Sequence, residues 1–296
     1  MKPAMHATPS SLVQRDAAPA GTPLRHAAPE RPRRLPGWPF SRQRTASIAV
    51  LTISGVIDDK SALAILSCCQ QVSWQQQDTI GLVLRIASEG GSLAAAQAIV
   101  QVIEQLRDEH GLVIAVAIDD IAISAAFYLA LAGDFVAAQP AATLGSVGSR
   151  IRRYDATALL ARLGVQDASV ASSLHKGAES SWVTAAAHAD PALAQPLVDD
   201  IHAQFVDWMK LRRGIAAIPP DLVDGRMFTG RVAHMHGLID ATGGTARAIA
   251  HVAERCAVES FSLLHIEYAS KAGPVESLLG AIPFGPLIGR LLGIGK

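Results

Sequence analysis

The sequence predicts an α/β fold built on a mainly parallel sheet, and three observations carry that expectation. From Ala46 onward, short β-branched runs alternate with longer segments rich in Ala and Leu, which is the pattern of strand-helix units. Two of the runs, Thr79–Ile86 (TIGLVLRI) and Leu112–Ile118 (LVIAVAI), are continuously apolar, as strands covered on both faces must be. Half of the 296 residues are apolar, enough to cover both faces of such a sheet with helices.

Taken in order, SIAVLTISG at 47–55 is the first strand, and Lys60 with Ser61 opens a helix that runs through ALAILSCCQQV. The strand Thr79–Ile86 is followed by the turn SEGG and by a helix with Ser92 at its start and Gly111 past its end, the positions at which Ser and Gly satisfy orphan backbone groups. Leu112–Ile118 is the third strand. An acidic turn at Asp119 and Asp120 follows it, then the small apolar segment ISAAFYLALAG, with Ser124 at a strand-to-helix junction. DFVAAQ is a further strand, and ATLGSVGSR a Gly- and Ser-rich connection into a helix from Asp155 to Leu163. Helices then dominate: one from Asp190 and Pro191 to Gly214, then TGRVAHMHG and TARAIAHVAERCA. No internal repeat is visible.

Three spans follow: residues 1–45, a disordered leader rich in Pro, Ala and Arg; 46–257, the folded domain; and 258–296, an apolar tail broken by Gly and Pro. The leader is expected to be solvated, although its basic cluster of Arg31, Arg33 and Arg34 could touch acidic lipid or a partner. The tail pieces are too short to span a bilayer. They could lie in a membrane interface, meet a neighbouring subunit or dock on their own domain.

Formal charge is zero, with 18% charged residues, so no global field recruits nucleic acid. Three cysteines, two of them adjacent at Cys68 and Cys69, fit neither a disulfide framework nor a zinc site, which points to a reducing compartment and a cytoplasmic location. The ten histidines, His175, His234 and His236 among them, form no set with metal-ligand spacing.

Consecutive glycines in SEGGS at 88–92 let backbone amides approach a ligand oxygen, or merely make a tight βα turn. Ser124, followed by Ala125 and Ala126, has close backbone access, yet a serine in an apolar segment can equally serve as a cap. A G-x-S-x-G elbow is absent. Lysine is the remaining base, and it accepts a proton only when its surroundings lower its pKa from about 10.4. Lys176, alone between Lys60 and Lys210 and set among small neutral residues, is either that base or a solvated surface lysine.

Four segments carry a family resemblance: LVLRIASEGGS, ISAAFYLALAGDFVAAQPAATLGSVG, SSLHKGAESS, and DGRMFTGRVAHMHGLID with Gly225, Arg226, Thr229, Gly230, Ala233, Gly237, Leu238 and Asp240. From about Ser47 to Ala257 the chain resembles the signal peptide peptidase A family in its short single-repeat bacterial form and, more loosely, the related phage capsid peptidases. Ser146 and Lys176 follow Ser124 at the intervals of the short form. The resemblance implies a ClpP/crotonase-like fold of repeated ββα units with a mainly parallel sheet and C-terminal helices. It also implies a serine endopeptidase: Ser124 is the nucleophile, Lys176 the general base, Ser146 the residue that orients the lysine, and the amides of Gly91 and Ala125 the oxyanion hole. Neither cofactor nor metal is implied. The implied partners are an unfolded or apolar peptide and a homo-oligomeric ring, with a peripheral membrane contact open. Two further readings are a crotonase-like acyl-CoA enzyme and a scaffold with a degenerate site. The chain departs from the family at Glu89, where Pro is usual, at Ala125 and Ala126, where a Gly pair is usual, and in lacking the family's N-terminal membrane anchor.

Overall fold

The computed structural model of the chain describes residues 46–75, 78–151, 156–166, 170, 172–173 and 191–267. Eight strands form one sheet: β1 (Ala46–Ile57), β2 (Thr79–Gly91), β3 (Val113–Ile123), β4 (Phe135–Ala138), β5 (Thr143–Gly145), β6 (Met227–Thr229), β7 (Ala241–Thr242) and β8 (Phe261–Glu267). The main path runs β6-β5-β3-β2-β1-β8, with β4 between β3 and β7. Every pairing is parallel except β5 with β6. The α/β class and the mainly parallel sheet are therefore those expected from the sequence.

Seven helices accompany the strands among the described residues: α1 (Asp59–Gln75), α2 (Leu93–His110), α3 (Ala125–Ala130), α4 (Thr157–Arg162), α5 (Pro191–Arg213), α6 (Gly230–Met235) and α7 (Gly244–Arg255). Alternation along the strands divides their side chains between two buried layers. Ala49, Leu51 and Ile53 of β1 join the larger layer, with residues of α1, α2, α3 and α5. Ile48 and Val50 join the smaller one, under Ala248 and Val252 of α7. Ser92 caps α2 by accepting from the Ala95 amide at 3.2 Å, and Gly111 ends it in the left-handed conformation.

Three local expectations are corrected. SEGG is the end of β2 and not a free turn: Gly90 and Gly91 pair with Val56 and Ile57, past a register shift that lets the longer strands stay in step. Asp119 and Asp120 lie within β3, which changes neighbours around them, pairing with β4 over Ala115–Ile118 and with β5 over Ile121–Ile123. Asp119 is accommodated in a strand because Thr245 and Arg85 bond its carboxylate. The sheet also runs past 257: β8 pairs in parallel with β1 from Ala46↔Phe261 to Thr52↔Glu267, so the first part of the expected tail is an edge strand.

The motif at 225–240 has a physical reading. Thr229 caps α6, and Gly230 lies so close to the Gln139 carbonyl that a Cβ would collide with it. Asp240 accepts from the Val136 amide at 2.8 Å and forms a two-pronged pair with Arg213, the shorter prong 2.6 Å. The helix α3 is far too short to stand alone. It is fully buried and held from α5: Trp208 Nε1 donates to the Tyr128 carbonyl at 3.0 Å, and Arg212 donates to the carbonyls of Leu131 and Ala132. No helix among the described residues is long and apolar enough to cross a membrane.

Candidate active site

The C-terminal ends of β2, β3 and β5 reach one cleft of about 1070 Å³, closed on another side by α5. Its lining includes Gly90, Gly91, Ser124, Ala125 and Ser146. Four of the five residues singled out from the sequence are thus brought together. Lys176, like His175, lies outside the described residues.

Ser124 has φ 55° and ψ −129°, a combination that a side chain with a Cβ adopts at a cost of about 1–3 kcal/mol. The turn is held from both sides. The Ser124 amide donates to the Gly145 carbonyl at 2.8 Å, and its own carbonyl accepts from Phe127 at 2.9 Å, starting α3. Its side chain makes no capping bond to that helix, so the hydroxyl is not engaged in the capping role that was the alternative reading. The Ala125 amide, first in the helix, has no intrahelical acceptor.

Gly90 packs directly beneath this turn. A Cβ there would lie 2.6 Å from the Ile123 carbonyl oxygen and 2.9 Å from both the Ala125 nitrogen and Ser124 Cβ. Its φ of 89° adds a second reason for glycine, and Gly91, at φ 151°, also lies in the region that favours glycine. Ser88 anchors the segment from below: 1% exposed, it donates to the Gly55 carbonyl at 2.5 Å and accepts from the Gly90 amide at 3.0 Å. Ser146 also has positive φ, 52°, and its amide donates to the Arg226 carbonyl at 2.8 Å.

The titratable lining is mixed: Glu89, Asp199 and Asp224 with Arg150 and His202. Hydrogen bonds from the Arg226 guanidinium hold Asp224 below the usual carboxylate range and raise the arginine in turn. Sequence reasoning missed the α5 contribution, Asp199, His202 and Phe205. The signal was present, since these residues recur at helical spacing in a segment read only as amphipathic.

Ser124, lining a cleft from a strained strand-helix turn beside a glycine pair and a helix-start amide, has the backbone setting of a nucleophile, and among the described residues no hydrogen bond joins its hydroxyl to a base. The profile of Peptidase family S49 matches residues 107–259, just over half of the chain. A Synechocystis protein named as a candidate protease is 28% identical over 207 residues, covering 70% of this chain and 73% of its own length. The chloroplastic serine protease SPPA of Arabidopsis thaliana is 25% identical over 169 residues, 57% of this chain and 25% of that one. A Na(+)/H(+) antiporter NhaA of Brucella melitensis is 29% identical over 196 residues, 66% of this chain but only 26% of the antiporter. Among solved structures, a mutant of the membrane-bound stomatin-specific protease 1510-N with a substrate peptide aligns over 79% of this chain and 98% of its own, at 13% identity and a TM-score of 0.49.

Proposed function

The chain belongs to peptidase family S49, and from that premise we propose that it is a serine endopeptidase working through a Ser/Lys dyad. The observation that carries the reading is the Ser124 turn, a strained backbone at the edge of a cleft with Gly90 packed against it. Strain of this kind persists only where the surroundings over-determine it, and it gathers at reacting groups.

In the proposed mechanism an extended peptide lies in the cleft and Ser124 Oγ attacks the scissile carbonyl. Lys176, neutral, takes the hydroxyl proton, and the carbonyl oxygen gains the negative charge. The amides of Gly91 and Ala125 donate to that oxyanion. Collapse of the tetrahedral intermediate breaks the C–N bond as Lys176 returns the proton to the leaving amine. Water then hydrolyses the acyl-serine ester by the same proton path. Ser146 orients Lys176 by a hydrogen bond. The substrate is an unfolded, largely apolar peptide, and the working form is a homo-oligomeric ring that folded proteins cannot enter.

The test is hydrolysis of an unfolded apolar protein or a fluorogenic peptide from about pH 6 to about pH 10, across which a lysine of lowered pKa deprotonates. Wild type runs beside Ser124→Ala and Lys176→Ala. Activity that rises with pH and is lost in both variants is expected. A folded wild type with no hydrolysis of any peptide, or full activity in Lys176→Ala, overturns the dyad.

A further inference from the structure

We infer that Glu89 makes the cleft selective for peptides carrying a lysine or arginine side chain beside the scissile bond; this rests on the peptidase reading and names a substrate class for it. Side chains alternate along a strand. Ser88 is buried against Gly55, and Glu89, next along β2, is exposed and lines the cleft. The following residue is Gly90, in contact with the Ser124 turn. Glu89 thus stands one residue from the backbone that supports the nucleophile.

The other carboxylates of the cleft are differently placed. Asp224 is held by Arg226 at 2.6 Å, and Asp199 accepts from Gln195 at 2.7 Å on α5. The Glu89 side chain has no ion pair or hydrogen bond among the described residues. Arg150 also lines the cleft, beyond Ser146, and does not pair with Glu89.

The cleft also has exposed apolar lining, Val56 at 61% exposure among it. A carboxylate at the water boundary of a cleft matches the cationic head of lysine and arginine, whose aliphatic stem can cover apolar area deeper in. A neutral aliphatic side chain would gain nothing from Glu89, and an acidic one would meet repulsion there.

The experiment uses quenched fluorogenic peptides of one apolar sequence, differing at a single position that carries Lys, Met or Glu and is walked across the scissile bond. Wild type, Glu89→Gln and Glu89→Lys are compared by kcat/KM, at low salt and at higher salt. In parallel, binding of the Lys and Met peptides to Ser124→Ala, with and without Glu89→Gln, is followed by fluorescence anisotropy. At the best position, wild type should favour Lys over Met by about threefold to fivefold, the range of an exposed ion pair, with the ratio shrinking as salt is added. Glu89→Gln should abolish the ratio and Glu89→Lys should invert it towards the Glu peptide. A wild-type ratio near one, or a ratio retained in Glu89→Gln, overturns the inference. Should wild type cleave no peptide, the binding arm separates the two ideas: a Glu89-dependent preference for Lys keeps the charge selection while the peptidase reading falls, and equal binding removes both.

Discussion

Gly90 and Ser124, 34 positions apart in the chain, are in such close contact that a methyl group on Gly90 would sit 2.9 Å from Ser124 Cβ. Gly90→Ala should therefore act on both backbones at once. The positive φ of 89° and the collision should destabilise the fold by about 1–3 kcal/mol. Peptide hydrolysis should fall much further, because the Ser124 turn must shift to admit the Cβ. Urea denaturation beside kcat/KM checks this; a stable variant with wild-type turnover would show that the contact does not set the geometry of the turn.

The clamp from α5 onto α3 gives a second expectation. Trp208→Phe keeps the stacking on Tyr128, with ring centroids 5.1 Å apart, and removes one hydrogen bond to its carbonyl, so it should cost about 0.5–1.5 kcal/mol. Arg212→Ala removes donors to the Leu131 and Ala132 carbonyls and should cost about 2–3 kcal/mol. Arg212→Lys should recover little of it, because an ammonium cannot reproduce the planar fork. Urea midpoints of the three variants rank these effects.

Asp119 sets an acid limit. Burial alone would raise its pKa, but hydrogen bonds from Thr245 and Arg85 more than offset this and hold it below the ordinary aspartate value. A carboxylate whose folded pKa is depressed contributes stability that is fully present above the unfolded value and is lost as pH falls through the folded one. Wild type should thus lose stability from about pH 4 downward, and Asp119→Asn, less stable at neutral pH, should show a flatter profile in that window. Denaturant midpoints between about pH 2 and about pH 7 decide it.

Cysteine chemistry should discriminate between two neighbours. Cys69 is 1% exposed, and burial, with Cys68 beside it, pushes its thiol up to about 12. Cys68 is only half-buried and is raised by burial alone. Since the thiolate is the reactive species, an alkylating reagent should label Cys68 slowly in the native protein and Cys69 only after unfolding. Peptide mass mapping of labelled Cys69 in native protein would contradict this packing.

Much of the architecture was legible because it rests on local patterns: the apolar run Thr79–Ile86, the Ser92 cap and the Gly111 stop each report a short-range requirement. The misreadings share a different cause. Asp119 and Asp120 looked like a turn because the bonding that reconciles Asp119 with a strand comes from Thr245, over a hundred positions away. Phe261–Glu267 was absorbed into a Gly- and Pro-rich tail, although its partner is β1 at the other end of the domain. In the site, the glycine pair and the small residues after Ser124 signalled close backbone approach, while His202 and Phe205 reach the cleft only through the tertiary placement of α5.

The exchange of neighbours along β3 divides the labour of the sheet. Below Asp119 the strand lies beside β4 and under α7; above it the strand lies beside β5 and leads into Ser124. Heritable change can therefore accumulate unevenly. Substitutions beneath α7 can alter robustness while leaving the cleft untouched, and variants of the cleft can be explored on an unaltered foundation. For a laboratory seeking hardier forms of this protein, the α7 side is the region to diversify first.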